Sequence, residues 1–263
     1  GGLIGGLIVV GGAEAQYRVL YLSAASGIAI AGALVFLLVH PPRRHDAPAR
    51  AGGAASVGSW RDVLSDRRFM YSQIVMFILL AGLTQLQVSA PPYLRAQAHL
   101  DEALIGFLFT INTIIVVVAQ LWVARKIAPW GRGVTLAVAG LFWAVAYALI
   151  GASVWSNLLP FAAIVVYTMG EMVFMPTSGV ITVELAPEHL RGRYLAFGSV
   201  IWGSSYGLAS WAGGAVLSTA HPGMLWPAVI AVLGFGIIGG LFYDRFTRLP
   251  ALNAPRVGIA DSD

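Results

Sequence analysis

The sequence predicts an all-α integral membrane bundle, and three observations carry that prediction. Of its 263 residues, 58% are hydrophobic and only 11% are charged, against roughly a quarter charged in an ordinary soluble domain. The apolar residues fall in blocks of about 20, the length of helix that crosses a hydrocarbon layer about 30 Å thick. The basic residues also sort by connection: of the 16 Arg and Lys, all but Arg18 and Arg95 fall in alternate connections. That alternation is the positive-inside signature, and it assigns the basic connections to the cytoplasm. The net charge of +4 is therefore a topology signal, and no nucleic-acid partner is expected. With no cysteine, disulfides, thiolate metal sites and thiol nucleophiles are excluded.

Taken in order, residues 1–11 (GGLIGGLIVVG) are too short to cross and read as the end of a truncated span. Seven full spans are expected at about 17–39, 69–91, 104–124, 133–153, 158–183, 194–218 and 224–243. Residues 40–59 (HPPRRHDAPARAGGAASVGS) are rich in Pro, Ala, Gly and Arg with almost nothing to bury, the composition of a flexible linker. Ser59 is placed to cap a short amphipathic helix, WRDVLSDRRF, on the inner membrane surface. Pro91-Pro92 end the span before them. The expected organisation is 1–39 as the end of one bundle, 40–68 as a cytoplasmic linker, 69–246 as a complete six-helix bundle, and 247–263 as a cytoplasmic tail. A first residue that is Gly, with no charged n-region, is not a signal peptide. The chain reads as the C-terminal part of a longer protein, inactive without the N-terminal half.

One charged residue lies deep in an apolar run. In VVYTMGEMVFMPTSGV (165–180), Glu171 sits near the middle of its span. An ionised acid there costs about 2.5–3.5 kcal/mol on insertion scales. A carboxyl kept at that depth can take and release a proton as its surroundings change, which is what coupling to a proton gradient requires. Helical spacing puts Tyr167, Glu171, Phe174 and Ser178 on one face, an aromatic–acid–aromatic surface suited to a lipophilic cation. Pro176 removes the backbone bond to the Met172 carbonyl. The competing reading is a protonated acid bonded to a neighbouring helix that never titrates. Gln85 and Gln87, with Thr84, lie in the outer half of span 69–91, and Trp202 and Tyr206 on span 194–218. Asn112 and Gln120 on span 104–124 read as amides that bond between helices.

Other classes are disfavoured. The only lysine, Lys126, lies at a cytoplasmic helix end, so no mid-membrane Schiff base is available. His40, His45, His99, His189 and His221 lie in or beside connections, without metal-ligand spacing. Neither an enzyme nor a metal or other cofactor is expected, and no filter-like motif points to a channel.

Several stretches carry a resemblance to a known family. GGLIGG resembles the antiporter motif of a fifth transmembrane helix, G-P-x-x-G-G, with Gly2 where proline is usual. ARKIAPWGRG (124–133) resembles a short basic cytoplasmic loop, without the acid of the usual D-R-x-G-R pattern. ELAPEHLRGRYLAFGS (184–199) resembles the loop before an eleventh helix in proton-coupled drug efflux proteins. Together they resemble the major facilitator superfamily, from the end of helix five to helix twelve. The resemblance implies a multi-pass transporter of the cell (inner) membrane, working by alternating access. Its expected partners are a small-molecule substrate, protons, the lipid bilayer and the missing N-terminal half. Helices seven (69–91) and ten (158–183) would face the cavity, with Glu171, Tyr167, Phe174, Gln85, Gln87, Trp202 and Tyr206 as candidate binding residues. Drug or small-molecule efflux is the expected activity. The alternative is uptake of peptides or other small solutes, since a G-E pair followed five residues on by proline also resembles the tenth helix of proton-coupled oligopeptide transporters.

Overall fold

A computed structural model describes residues 14–38 and 59–247, and these are helical, with no strand among them. The helices are α1 (Glu14–Leu38), α2 (Trp60–Ser65), α3 (Arg67–Val88), α4 (Ala90–Gln97), α5 (Glu102–Ile127), α6 (Arg132–Gly151), α7 (Leu159–Leu185), α8 (Arg191–Leu217) and α9 (Leu225–Thr247). Short 3-10 turns at Ala152–Trp155, Glu188–Leu190 and Pro222–Met224 join the later ones. The long helices from α3 onward pack in the spatial order α5, α7, α6, α9, α3, α8.

The core is aromatic and centres on α6. Trp143 is fully buried against Phe174 of α7, ring centroids 5.1 Å apart. Tyr147 stacks on Trp226 of α9 at 5.5 Å, and Tyr93 of α4 meets that indole edge-on at 5.0 Å. Such pairs add to the area they bury. The α6–α9 crossing is backbone to backbone: a Cβ on Gly133 would lie 2.5 Å from the Gly240 carbonyl oxygen, and one on Gly240 2.8 Å from the Ala137 nitrogen. Only glycine permits that approach.

Two tyrosines fasten α3 to its neighbours. The Tyr147 hydroxyl donates to the Gly82 carbonyl and accepts from the Leu86 amide at 3.0 Å. Those are the two groups an α-helix ordinarily joins to each other. One residue further on, the Tyr167 hydroxyl donates to the Leu83 carbonyl at 2.8 Å.

A smaller core lies at the other end of the bundle, around Val63, Phe69, Ala186, Leu190 and Tyr194. Ser59 accepts from the Arg61 amide at 3.2 Å, while its own amide donates to Asp62 at 2.6 Å, a reciprocal cap that starts α2. The helix does not run on through WRDVLSDRRF. Asp66 breaks it by capping α3 instead, accepting from the amides of Arg68 and Phe69 at 3.0 and 3.1 Å. Its other carboxylate oxygen accepts from the Tyr194 hydroxyl at 2.8 Å. Arg132 of α6 grips Glu184 of α7 bidentately, at 2.7 and 3.2 Å.

The expected full spans all fall on described helices. Five of the described helical segments are long and apolar enough to cross a membrane, over Arg67–Val88, Glu102–Ile127, Arg132–Trp155, Leu159–Leu185 and Pro222–Thr247. The two other expected spans, 17–39 and 194–218, are also helical, as α1 and α8. Beyond Arg18, α1 carries no charged residue through Leu38. In α8 the glycines and serines of GSVIWGSSYGLASWAGG dilute the apolar residues. Pro91-Pro92 end the preceding span but open α4, where prolines in the first turn cost no helical bond. The partial span 1–11, the linker over 40–58 and most of the tail lie outside the described residues.

Candidate substrate and proton site

Glu171 is the thirteenth of the 27 residues of α7, half-buried at its middle. The Asn112 amide of α5 donates to Glu171 Oε2 at 2.8 Å and to Thr168 Oγ1 at 2.9 Å. The Thr168 hydroxyl passes its own proton to the Ile164 carbonyl at 2.6 Å. Among the described residues, the ion pairs are Arg95–Glu102 and Arg132–Glu184, so no cation neutralises Glu171. The carboxyl is thus held by a neutral donor that serves either of its protonation states.

A second amide repairs a backbone defect. Pro176 has no amide proton to give the Met172 carbonyl, and Gln120 Nε2 of α5, two turns past Asn112, donates to that oxygen at 3.2 Å. Asn112 and Gln120 therefore sew α5 to α7. The Gln120→Leu substitution is expected to cost about 1–2 kcal/mol, the upper range for bonds between membrane helices. In a Pro176→Ala background, where residue 176 regains its amide, the same change is expected to cost markedly less. Unfolding titrations of the four variants close that cycle.

The other expected site residues separate. Tyr167 and Phe174 do not share an open surface with Glu171: they are 1% and 0% exposed, committed to α3 and to Trp143. The open edge of α7 carries Glu171, Met175, Ser178 and Gly179 instead. Gln85 is buried between α3 and α8, where it donates to the Ala209 carbonyl at 2.9 Å and accepts from Ser89 at 2.5 Å. It borders an apolar cavity of about 270 Å³ lined by α3, α8 and α9, including Phe77, Ser205, Ala209 and Val229. Thr84 bonds its own helix at the Leu80 carbonyl. Gln87, Trp202 and Tyr206 are exposed. Among the glycines of α8, Gly213 lies against Gln85 and Ser89, whereas Gly203, Gly207 and Gly214 have open space beside them.

Sequence reasoning missed Thr168 and Tyr147. Thr168 lies one turn before Glu171, a spacing that signals a shared partner. Tyr147 had only its hydroxyl in an otherwise apolar helix to mark it.

The sequence model of the Major Facilitator Superfamily matches residues 1–210 and, in a second overlapping match, residues 74–258. The chain belongs to the Major Facilitator Superfamily. It is accordingly a multi-pass membrane protein of a family of secondary transporters, which are not enzymes, and its helical bundle agrees with that family's architecture. Transporters of this superfamily move small-molecule substrates. No curated protein and no solved structure matches the chain.

Proposed function

We propose that the chain is the C-terminal part of a proton-coupled exporter of hydrophobic or cationic small molecules, with Glu171 as its proton-binding carboxyl. On this reading α1 ends an N-terminal bundle, residues 67–247 form the second bundle, and the linker and tail face the cytoplasm of a cell's inner membrane. One observation carries the reading: an acid half-buried at the midpoint of an apolar helix, held by Asn112 and by no cation. An acid so placed is costly to keep unless it is used. As one bundle rocks against the other, the open edge of α7 would meet water from one side and then the other, which is the exposure that proton exchange at Glu171 requires.

The Gly170-Glu171 pair with Pro176 five residues on favours a second reading, in which the same carboxyl holds the amino group of a peptide. Membrane vesicles containing the complete transporter separate the two. With an imposed pH gradient, extrusion of lipophilic cationic dyes without dipeptide uptake is the expected result. Gradient-driven dipeptide uptake with no dye movement would replace efflux by the second reading.

A further inference from the structure

We propose that the cytoplasmic rim formed by α2, the start of α3 and the start of α8 binds the phosphate headgroup of an anionic membrane phospholipid. Five arginines gather on these three elements: Arg61, Arg67 and Arg191 exposed, Arg68 and Arg193 half-buried. The elements are locked together by the Asp66–Tyr194 hydrogen bond and by the Phe69–Tyr194 ring contact at 4.3 Å. No guanidinium of the five meets a carboxylate within 4.0 Å or donates a hydrogen bond among the described residues.

The acids nearby are spoken for or outnumbered. Asp62 accepts the Ser59 amide, Asp66 caps α3 and holds Tyr194, and Glu184 belongs to Arg132. That leaves Glu188, exposed in the turn before α8. The adjoining segment 39–58 does not supply the missing charge, since it carries Arg43, Arg44 and Arg50 against Asp46. Planar guanidinium forks match phosphate oxygens in pairs.

Apolar side chains on α2 identify the source of that phosphate. Val63 is fully buried in the small core and pins the helix to the bundle. Trp60 and Leu64, one turn apart, stand 49% and 54% exposed. An exposed Trp–Leu face beside unpaired arginines has the make-up of an interfacial helix, its apolar side at the acyl boundary and its cations at the headgroups. The inner leaflet carries the anionic lipids that such a rim attracts. A phosphodiester tethered to acyl chains satisfies both features, and free phosphate satisfies one.

The test uses the full 263-residue chain in nanodiscs of phosphatidylcholine containing a minor fraction of phosphatidylglycerol, with retained lipid counted by native mass spectrometry. Phosphatidylglycerol is expected to be enriched on the protein. The Arg61→Gln/Arg67→Gln/Arg191→Gln variant, changed only at exposed positions, is expected to lose that enrichment by about tenfold or more. The Arg125→Gln/Lys126→Gln variant, at the cytoplasmic end of α5, is expected to keep it. Trp60→Ser is expected to weaken retention while leaving every arginine in place. Equal loss in both charge variants would mean diffuse attraction and would overturn the proposal. So would full retention in the triple variant, or displacement of the lipid by millimolar inorganic phosphate.

Discussion

Exchanging Glu171 for glutamine is expected to reduce gradient-driven transport by the complete transporter to the level seen without a gradient. Glutamine keeps the shape of the side chain and its carbonyl oxygen still accepts from Asn112, so the α5–α7 seam holds and the melting temperature is expected to stay unchanged. What glutamine lacks is a group that can bind and release a proton. Substrate movement down its own gradient is expected to survive, because rocking of the bundles needs no proton once the site is permanently neutral. Dye flux at several imposed pH differences, measured beside passive exchange, reads both quantities. Unchanged dependence on the pH difference would reduce Glu171 to a packing residue. The Asn112→Leu variant completes the comparison. It removes the donor to Glu171 and Thr168 together, and is expected to shift the pH dependence and lower stability at once.

The Gly240→Val substitution is expected to damage the fold severely. The new Cβ would lie 2.8 Å from the Ala137 nitrogen and 3.1 Å from the Gly133 carbonyl oxygen. Both are backbone atoms, so no side chain can swing aside and α6 must separate from α9. Overpacking of this kind costs about 3 kcal/mol or more when nothing can relax. Since α6 also carries Trp143 and Tyr147, the separation would loosen the aromatic core. The matched control is Gly203→Val, where nothing lies within 4 Å of the new Cβ, and its effect is expected within about 0.5 kcal/mol. Unfolding of both variants in mixed micelles compares two glycines that look alike in the sequence.

The helical fold was legible because its signals are long and redundant: blocks of apolar residues, and arginines confined to alternate connections. One expected span, α8, has a mixed composition. In α8, Ser204, Ser205 and Ser210 bond carbonyls of their own or a neighbouring helix, so a helix forms without a strongly apolar surface. The candidate site was legible only in part. Glu171 stood out because one acid in an apolar run is costly, and Asn112 and Gln120 were expected to bond between helices, as they do. The grouping of Tyr167 and Phe174 with Glu171 failed on angle. Three residues along a helix leave about 60° between Phe174 and Glu171, enough to turn one ring into the core while the acid meets α5. Periodicity names the residues on a side of a helix, but the neighbouring helix decides where that side divides. The partners of Tyr147, Gly82 and Leu86, lie 65 and 61 residues away along the chain and have no sequence signal.

That tyrosine has a mechanical consequence. With its hydroxyl on Gly82 and Leu86, and Tyr167 on Leu83, one turn of α3 is clasped by two other helices. The position of that turn is thus tied directly to how far α6 and α7 stand from it. Gln87, exposed immediately beyond the clasp, marks where a spectroscopic label would report that spacing without touching the helices that set it.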